Sequence, residues 1–503
     1  MNNRKHFIIK AIHRGLSALI LSSFLTVYGV SAISPAITAY ADEPVTRDDI
    51  NAARASIPVA TNEIDGWAMG PAINSESAVL MDADSGVILY DKNMDVQHFP
   101  ASTTKVMTCL LAAELCSMDE VVTFSSEAVN GIDPGSSNVG IDIGQTLTME
   151  EAIYCVMLAS ANEVASAIAE HISGSTEEFA KLMNERAREL GCTSTNFCNA
   201  NGLPNDEHLT TAHDLALIAC AFNKNDTCRR IASSKSYTVN ATPTQPDTFT
   251  LYNHHQMFPG FNYGYDYFVW GKTGYTNVAR STLVTAAEKD GMNLVAVVMK
   301  AEPGSQYTDT RDLFDYGFQN FQKLYISDNE TKFNLKTSDF FNTNNTFFGN
   351  TEALLSLDPT GYVLIPKTIS FEDLDSEITY SDDMSDRSAA TINYSYKENF
   401  VGSTDVLMSI RAAEREPFST AVSGNEISES SVSSANAPGF QTRGMIYISI
   451  KNLLIYSGIV IGSLLLIIFI IFMIHNYLLS DIHKRRKIKR DRRYSSEFDK
   501  FDF

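Results

Sequence analysis

A chain of 503 residues, 44% hydrophobic and 20% charged, has the length for two to four domains and the apolar content for a sizeable core, which excludes a disordered or fibrous class. Its 39 Lys and Arg stand against 60 Asp and Glu, a net charge of −21, and many of the bases gather at the two ends. The acidic body between them repels phosphate backbones, so nucleic acid is excluded as a partner. The seven cysteines lie between Cys109 and Cys228, without a CxxC and without the paired spacing of a zinc motif, so no metal site is expected. Cys109, Cys155 and Cys220 stand in apolar runs and read as small buried thiols. Cys192 and Cys198 are the neighbours for which a disulfide stays open.

In chain order, Arg4, Lys5, Lys10 and Arg14 come before or at the edge of an apolar run from Leu16 to Ile33. Ala39-Tyr40-Ala41 and the acidic Asp42-Glu43 follow, the layout of a secretory signal peptide cleaved after Ala41. Residues 42–74 are a polar lead-in. From Ser77 the text turns globular: Ala78–Met81 and Val87–Tyr90 flank Asp82–Gly86 as a β-hairpin. Thr103–Leu115 has helical spacing, Leu147–Ile172 holds two more helical stretches, and Glu177–Leu190 forms another that stops at Gly191. Ser281–Ala287 and Met292–Lys300 are strand-like around Asp290-Gly291, a second hairpin signal. Tyr307–Leu324 reads as an amphipathic helix closing the domain. Strands at both ends with helices between predict an α+β domain over 75–325, with its terminal strands in one sheet.

Beyond it the composition shifts. Residues 330–415 are rich in Asn, Thr, Ser and Asp, with short apolar runs such as Tyr362–Ile365 and Asp405–Met408, and read as a small β domain. Residues 417–443 form a Ser-rich stalk without periodicity. Leu453–Ile474 carries no charge and is long enough for a single transmembrane helix. The basic cluster His483–Arg493 beside it marks the cytoplasmic side, so 480–503 is a tail inside and the body lies outside.

Three short patterns carry chemistry. In Ser102-Thr-Thr-Lys105 the serine opens a helix at the positive end of its dipole, and the lysine emerges one turn later on the same face. A neutral lysine there can take the serine proton, and burial or a nearby cation would make it neutral. Alone, this pattern reads more simply as a helix cap with a solvated lysine. Ser160-Ala161-Asn162 lies between two helical runs, where a loop presents a hydroxyl and an amide together. Its simpler reading is a pair of capping residues. Lys272-Thr273-Gly274 precedes strand-like text and offers a fixed cation, a hydroxyl and close backbone approach, or merely an exposed turn at a sheet edge.

S-x-x-K, S-x-N and K-T-G in this order are the motif set of penicillin-binding proteins and class A β-lactamases. With Ala78–Met107, Leu158–Glu170, Asn201-Gly202-Leu203, His208, Thr211–Asp214 and Gly271–Thr276, the chain resembles the low-molecular-mass penicillin-binding proteins. These are the D-alanyl-D-alanine carboxypeptidases of serine peptidase family S11. The resemblance covers residues 75–325. It implies a β-lactamase/penicillin-binding-protein-like α+β catalytic domain, an antiparallel sheet plus a helical region. It also implies removal of the terminal D-alanine from peptidoglycan stem pentapeptides through an acyl-enzyme, covalent inhibition by β-lactams, and no metal or organic cofactor. By resemblance, Ser102 is the nucleophile, Lys105 its general base and Ser160 a proton relay. Asn162 would orient Lys105 and the substrate amide, and Lys272, Thr273 and Gly274 would bind the substrate's carboxylate end. The backbone N–H groups of Ser102 and Tyr275 would form the oxyanion hole. His208 and Asp214 read as structural anchors of their loop.

Two features depart from the family's pattern. Arg280 stands where glycine is usual, and a full membrane span replaces an amphipathic helix lying on the surface. The rival readings are a β-lactamase and a catalytically weak penicillin-binding sensor or scaffold.

Overall fold

The computed structural model describes residues 46–333, 355–380 and 388–408. The expected signal peptide, stalk, transmembrane helix and cytoplasmic tail lie outside the described residues. Among the described residues, no helix is long and apolar enough to cross a membrane.

Strand β1, Ser77–Asp82, is buried at every position, as a strand covered on both faces must be. Its side chains sort by the period of two. Val79 and Met81 enter one hydrophobic core, Ala78 and Leu80 the other. Strand β2 is Ile88–Lys92, β3 Phe268–Thr276, β4 Arg280–Lys289 and β5 Met292–Ala301. They form one antiparallel sheet in the order β2-β1-β5-β4-β3, so the first strands of the domain meet the last. The register pairs Val79 with Val297 and Lys272 with Val284. Val295 and Val297 of β5 face the first core, Leu294 and Val298 the second. The β4–β5 turn uses Asp290 and Gly291 at φ 50° and 77°, the left-handed pair that a two-residue hairpin requires.

Helices cover the first face. Helix α1 is Arg47–Ala55, in the lead-in. Helices α2 (Lys105–Leu115), α3 (Met149–Leu158), α4 (Asn162–Ser173), α5 (Thr176–Glu189) and α6 (Ala212–Lys224) contribute to the first core. Helix α2 is buried from Lys105 through Ala112, which its nearly unbroken apolar text allows. The junction between α3 and α4, residues 159–161, sets Ser160 against Lys272 of β3 and Asn162 against Lys105 of α2.

The second face carries helix α7, Ser305–Asn320, and a second sheet. Here the structure corrects the predicted closing helix. It stops at Asn320, and Phe321–Tyr325 turns extended as strand β6, pairing with Tyr362–Pro366. Phe321 is buried against Trp67 and Tyr316, each with ring centroids 5.4 Å away, and that burial outweighs continuation of the helical pattern. The remaining strands are β7 (Leu355–Leu357), β8 (Tyr362–Pro366), β9 (Asp375–Tyr380), β10 (Ser388–Tyr396) and β11 (Asn399–Met408). The sheet runs β6-β8-β11-β10-β9, with β7 also beside β11. Its Val363, Ile365 and Tyr394 share a core with Leu80, Leu89 and Phe314 of the catalytic part.

The polar lead-in is also packed. Arg54 of α1 pairs with Glu302 at 3.1 Å, and Trp67 donates its indole N–H to the Leu89 carbonyl at 3.0 Å. All seven cysteines are free thiols, so the bridge left open for Cys192 and Cys198 is not made. Cys192 is buried and reaches the Asp214 carbonyl instead, at 3.5 Å.

Candidate active site

Ser102 lies in a 3₁₀ turn, Ala101–Thr104, that runs directly into α2. The turn is tied on both sides. The Pro100 carbonyl accepts the hydroxyls of Thr103 at 2.7 Å and of Thr282, on β4, at 2.9 Å. Ala101 holds φ 49°, a strained value for a residue with a Cβ. Two glycines close around it. A Cβ on Gly202 would stand 1.9 Å from the Ala101 carbonyl oxygen, and one on Gly274 would stand 2.2 Å from the Thr282 hydroxyl and 3.0 Å from the Ser102 nitrogen. No side chain fits at either place, so Gly274 is required for β3 to pass against the serine.

Lys105 follows one turn later and is fully buried. Its Nζ lies 3.1 Å from Ser102 Oγ and 2.6 Å from Asn162 Oδ1, and it also donates to the Asn201 carbonyl. Burial pushes the lysine well below its ordinary value, and the charge of Lys272 pushes it the same way. A neutral amine has two N–H groups and one lone pair. The two carbonyl oxygens take the N–H groups, which leaves the lone pair for the Ser102 hydroxyl proton.

Ser160 holds φ 60° between α3 and α4, a second strained residue beside the serine. Its Oγ lies 3.1 Å from Lys272 Nζ, which also donates to the Thr273 carbonyl at 3.0 Å. Lys272 is buried on β3, and burial brings it down to about 8, so it keeps its proton at neutral pH. Thr273 and Gly274 follow on the same strand, half-buried and buried. Tyr275 is exposed at the rim. A cleft of about 390 Å³ is lined by Ser102, Asn162, Gly202, Tyr275 and Thr276, together with Asp133, Gly135, Ser136 and Ser137 on the opposite wall. The structure thus brings Ser102, Lys105 and Asn162 into one hydrogen-bonded set and Ser160 and Lys272 into a second, close enough for the charge of Lys272 to act on Lys105.

Sequence reasoning missed two participants. The Asn201 carbonyl is a backbone group with no side-chain signature; only the following glycine hinted at a tight approach. Glu163, next to Asn162 and 2% exposed, accepts the N–H groups of Val139 at 2.6 Å and Gly140 at 3.2 Å. It fastens the loop that forms the cleft's opposite wall.

His208 and Asp214 act as anchors. The His208 ring accepts the Cys198 N–H at 2.9 Å and meets Thr104 Oγ1 at 2.8 Å, and burial lowers it to about 4, so it is neutral. Asp214 accepts from the N–H of Ser194 at 2.9 Å and the hydroxyl of Thr195 at 2.6 Å. Arg280 adopts φ 55°, the conformation a glycine takes without strain, so the bend at the start of β4 survives the substitution. Its guanidinium pairs with buried Glu302 and reaches the Tyr275 hydroxyl at 3.4 Å.

The sequence profile of the D-alanyl-D-alanine carboxypeptidases, Peptidase S11, matches residues 66–303. The D-alanyl-D-alanine carboxypeptidase DacB2 of Mycobacterium tuberculosis is 32% identical over 258 residues, covering 50% of this chain and 83% of the relative. The chain belongs to the S11 family. Another S11 relative, the D-alanyl-D-alanine carboxypeptidase DacF of Bacillus subtilis, is 33% identical over 257 residues, and the chain spans 63% of its length. DacA of Escherichia coli is 28% identical over 308 residues, 72% of that relative. Among solved structures, penicillin binding protein 6B of Escherichia coli shares the fold, with a TM-score of 0.51 at 23% identity over 69% of this chain and 99% of that one. The α+β catalytic fold and the serine peptidase class follow from this membership.

Proposed function

We propose that this chain is a serine D-alanyl-D-alanine carboxypeptidase acting on peptidoglycan stem pentapeptides, with Ser102 as nucleophile. The observation that carries the reading is the environment of Lys105. A buried amine with its N–H groups engaged by two carbonyls has one remaining use, to accept the proton of the serine 3.1 Å away.

Lys105 takes the Ser102 proton as Oγ attacks the penultimate D-alanine carbonyl, and the oxyanion forms against the N–H groups of Ser102 and Tyr275. The C–N bond breaks, D-alanine leaves with a proton passed through Ser160, and an ester to Ser102 remains. Water then adds to the ester, releases the shortened peptide and restores the serine hydroxyl. Lys272 and Thr273 hold the free carboxylate, which explains an exopeptidase: a fixed cation demands a terminal charge. Asn162 orients Lys105 and the substrate amide. A β-lactam acylates the same serine.

The cellular setting is part of the proposal. The signal peptide 1–41 exports the chain, 453–474 anchors it as a single-pass protein of a bacterial membrane, and the catalytic part faces the wall. Cysteine-scanning with a membrane-impermeant reagent tests this; labelling of the 480–503 tail on intact cells would reverse the orientation.

Release of D-alanine from a pentapeptide ending in D-Ala-D-Ala tests the activity. Acylation by penicillin without D-alanine release would favour the sensor reading. Rapid multiple turnover of nitrocefin would favour the β-lactamase.

A further inference from the structure

Helices α2 and α4 carry Lys105 and Asn162 at their first positions. Their opposite ends meet a different cluster, about 16 Å away along α2 at ~1.5 Å per residue. Cys116 caps α2, His171 lies in the last turn of α4, and Glu120 ends the turn before the short strand Val121–Thr123. The Cys116 sulfur, a Glu120 carboxylate oxygen and a His171 ring nitrogen all lie within 4.8 Å of one another. No spacing rule points to them, because Cys116 and Glu120 share one connection while His171 comes from another helix, 51 residues beyond Glu120.

We propose that Cys116, Glu120 and His171 bind one zinc-class divalent cation that pins the far ends of α2 and α4 together. The donor set is one sulfur, one nitrogen and one oxygen, which suits borderline zinc and excludes the all-oxygen shells of calcium and magnesium. Three protein ligands leave a fourth position for water. Ligand atoms around a tetrahedral zinc stand about 3–4 Å apart, given metal–ligand bonds of about 2.0–2.3 Å. His171 Nε2 and Glu120 Oε2 already stand 3.0 Å apart, and the sulfur completes a triangle with no side longer than 4.8 Å.

The carboxylate is oriented beforehand. Glu120 Oε1 accepts the Ser117 N–H at 2.7 Å, which turns Oε2 toward the histidine. The turn itself is fixed: the Glu120 N–H donates to the Ser117 carbonyl at 3.1 Å, and the Glu120 carbonyl accepts the Met149 N–H at 2.8 Å. Partial burial and the Glu120 charge raise the Cys116 thiol to about 11, so it is protonated in the metal-free protein. Binding therefore breaks the S–H bond, forms the metal–thiolate bond and releases one proton to solvent. A Glu120–His171 ion pair alone would need no sulfur, so the cysteine separates the two readings.

The test uses the full chain in detergent, reduced and stripped of metal. Equimolar cobalt(II) should produce a thiolate-to-cobalt charge-transfer band, and zinc should be retained at one equivalent per chain through dialysis. Cys116→Ser should abolish the band, and His171→Gln should weaken zinc retention about tenfold or more. Both should leave β-lactam acylation of Ser102 near wild type, which also reports folding. Absence of the band in the wild type, or its survival in Cys116→Ser, overturns the site. Should Cys116→Ser fail to fold, unchanged zinc retention in His171→Gln overturns it instead.

Discussion

Two lysines are buried on the two sides of the central sheet, and each gives its amine to two carbonyl oxygens. Lys105 meets Asn162 Oδ1 and the Asn201 carbonyl; Lys92 meets the carbonyls of Arg54 and Ile73 at 2.8 and 2.7 Å. Burial lowers both. They differ in what else stands near. Beside Lys105 are the Ser102 hydroxyl and the cation Lys272, which pushes it further down. Near Lys92, Asp309 pulls it back up by more than the charge of Arg54 pushes it down, so it settles at about 8. The same cage of carbonyls therefore serves two ends. Burial with the carboxylate of Asp309 as the leading neighbour makes a structural lysine that ties the lead-in to β2. Burial with the cation Lys272 as the leading neighbour and a hydroxyl at the third position suits the base proposed for Lys105.

The sharpest way to break this comparison is Lys105→Ala. It should abolish acylation of Ser102 by penicillin, by about 10³-fold or more, since the remaining hydroxyl has no proton acceptor. Stopped-flow acylation measures it, and a near wild-type rate would remove Lys105 from its role. Lys92→Met should leave the acylation rate within a few-fold of wild type. It should cost about 1–3 kcal/mol of stability in a denaturant titration, through the two orphaned carbonyls.

Next in size is Lys272→Ala, expected to lower kcat/KM for pentapeptide about a hundredfold by removing the charge that holds the carboxylate. The pH profile carries the same information. Activity should fall as pH rises through about 8, where Lys272 loses its proton. The stability effect has the opposite sense. Between about 8 and the ordinary lysine value of 10.5 the unfolded chain binds the extra proton, so stability gains with pH across that window. The smallest expected effect is Arg280→Gly. Glycine relieves the left-handed strain, worth about 1 kcal/mol, but removes the ion pair to buried Glu302. The two offset, so the melting temperature should move by only a few degrees, with kcat largely kept.

What the sequence made legible was side-chain chemistry at fixed offsets. Ser102 and Lys105, one turn apart, meet because a helix brings i and i+3 together. The Asp290-Gly291 turn could be read because few residue pairs tolerate its backbone. The Asn201 carbonyl could not, because every residue has one. Phe321 was read as helical because the amphipathic pattern of α7 runs on past Asn320. Only the tertiary pocket between Trp67 and Tyr316 turns it into a strand. The Cys116, Glu120 and His171 cluster is invisible for a related reason: the histidine is far along the chain and meets the other two only once two helix ends have packed.

The position of β3 has one more consequence. It is the end of the five-stranded order, with β4 on one side and no strand on the other among the described residues. The free edge of Lys272–Tyr275 thus offers main-chain groups as a template, with the Thr273 carbonyl already accepting from Lys272 Nζ at 3.0 Å. An extended peptide laid there becomes a sixth strand, held by its own backbone rather than by its side chains.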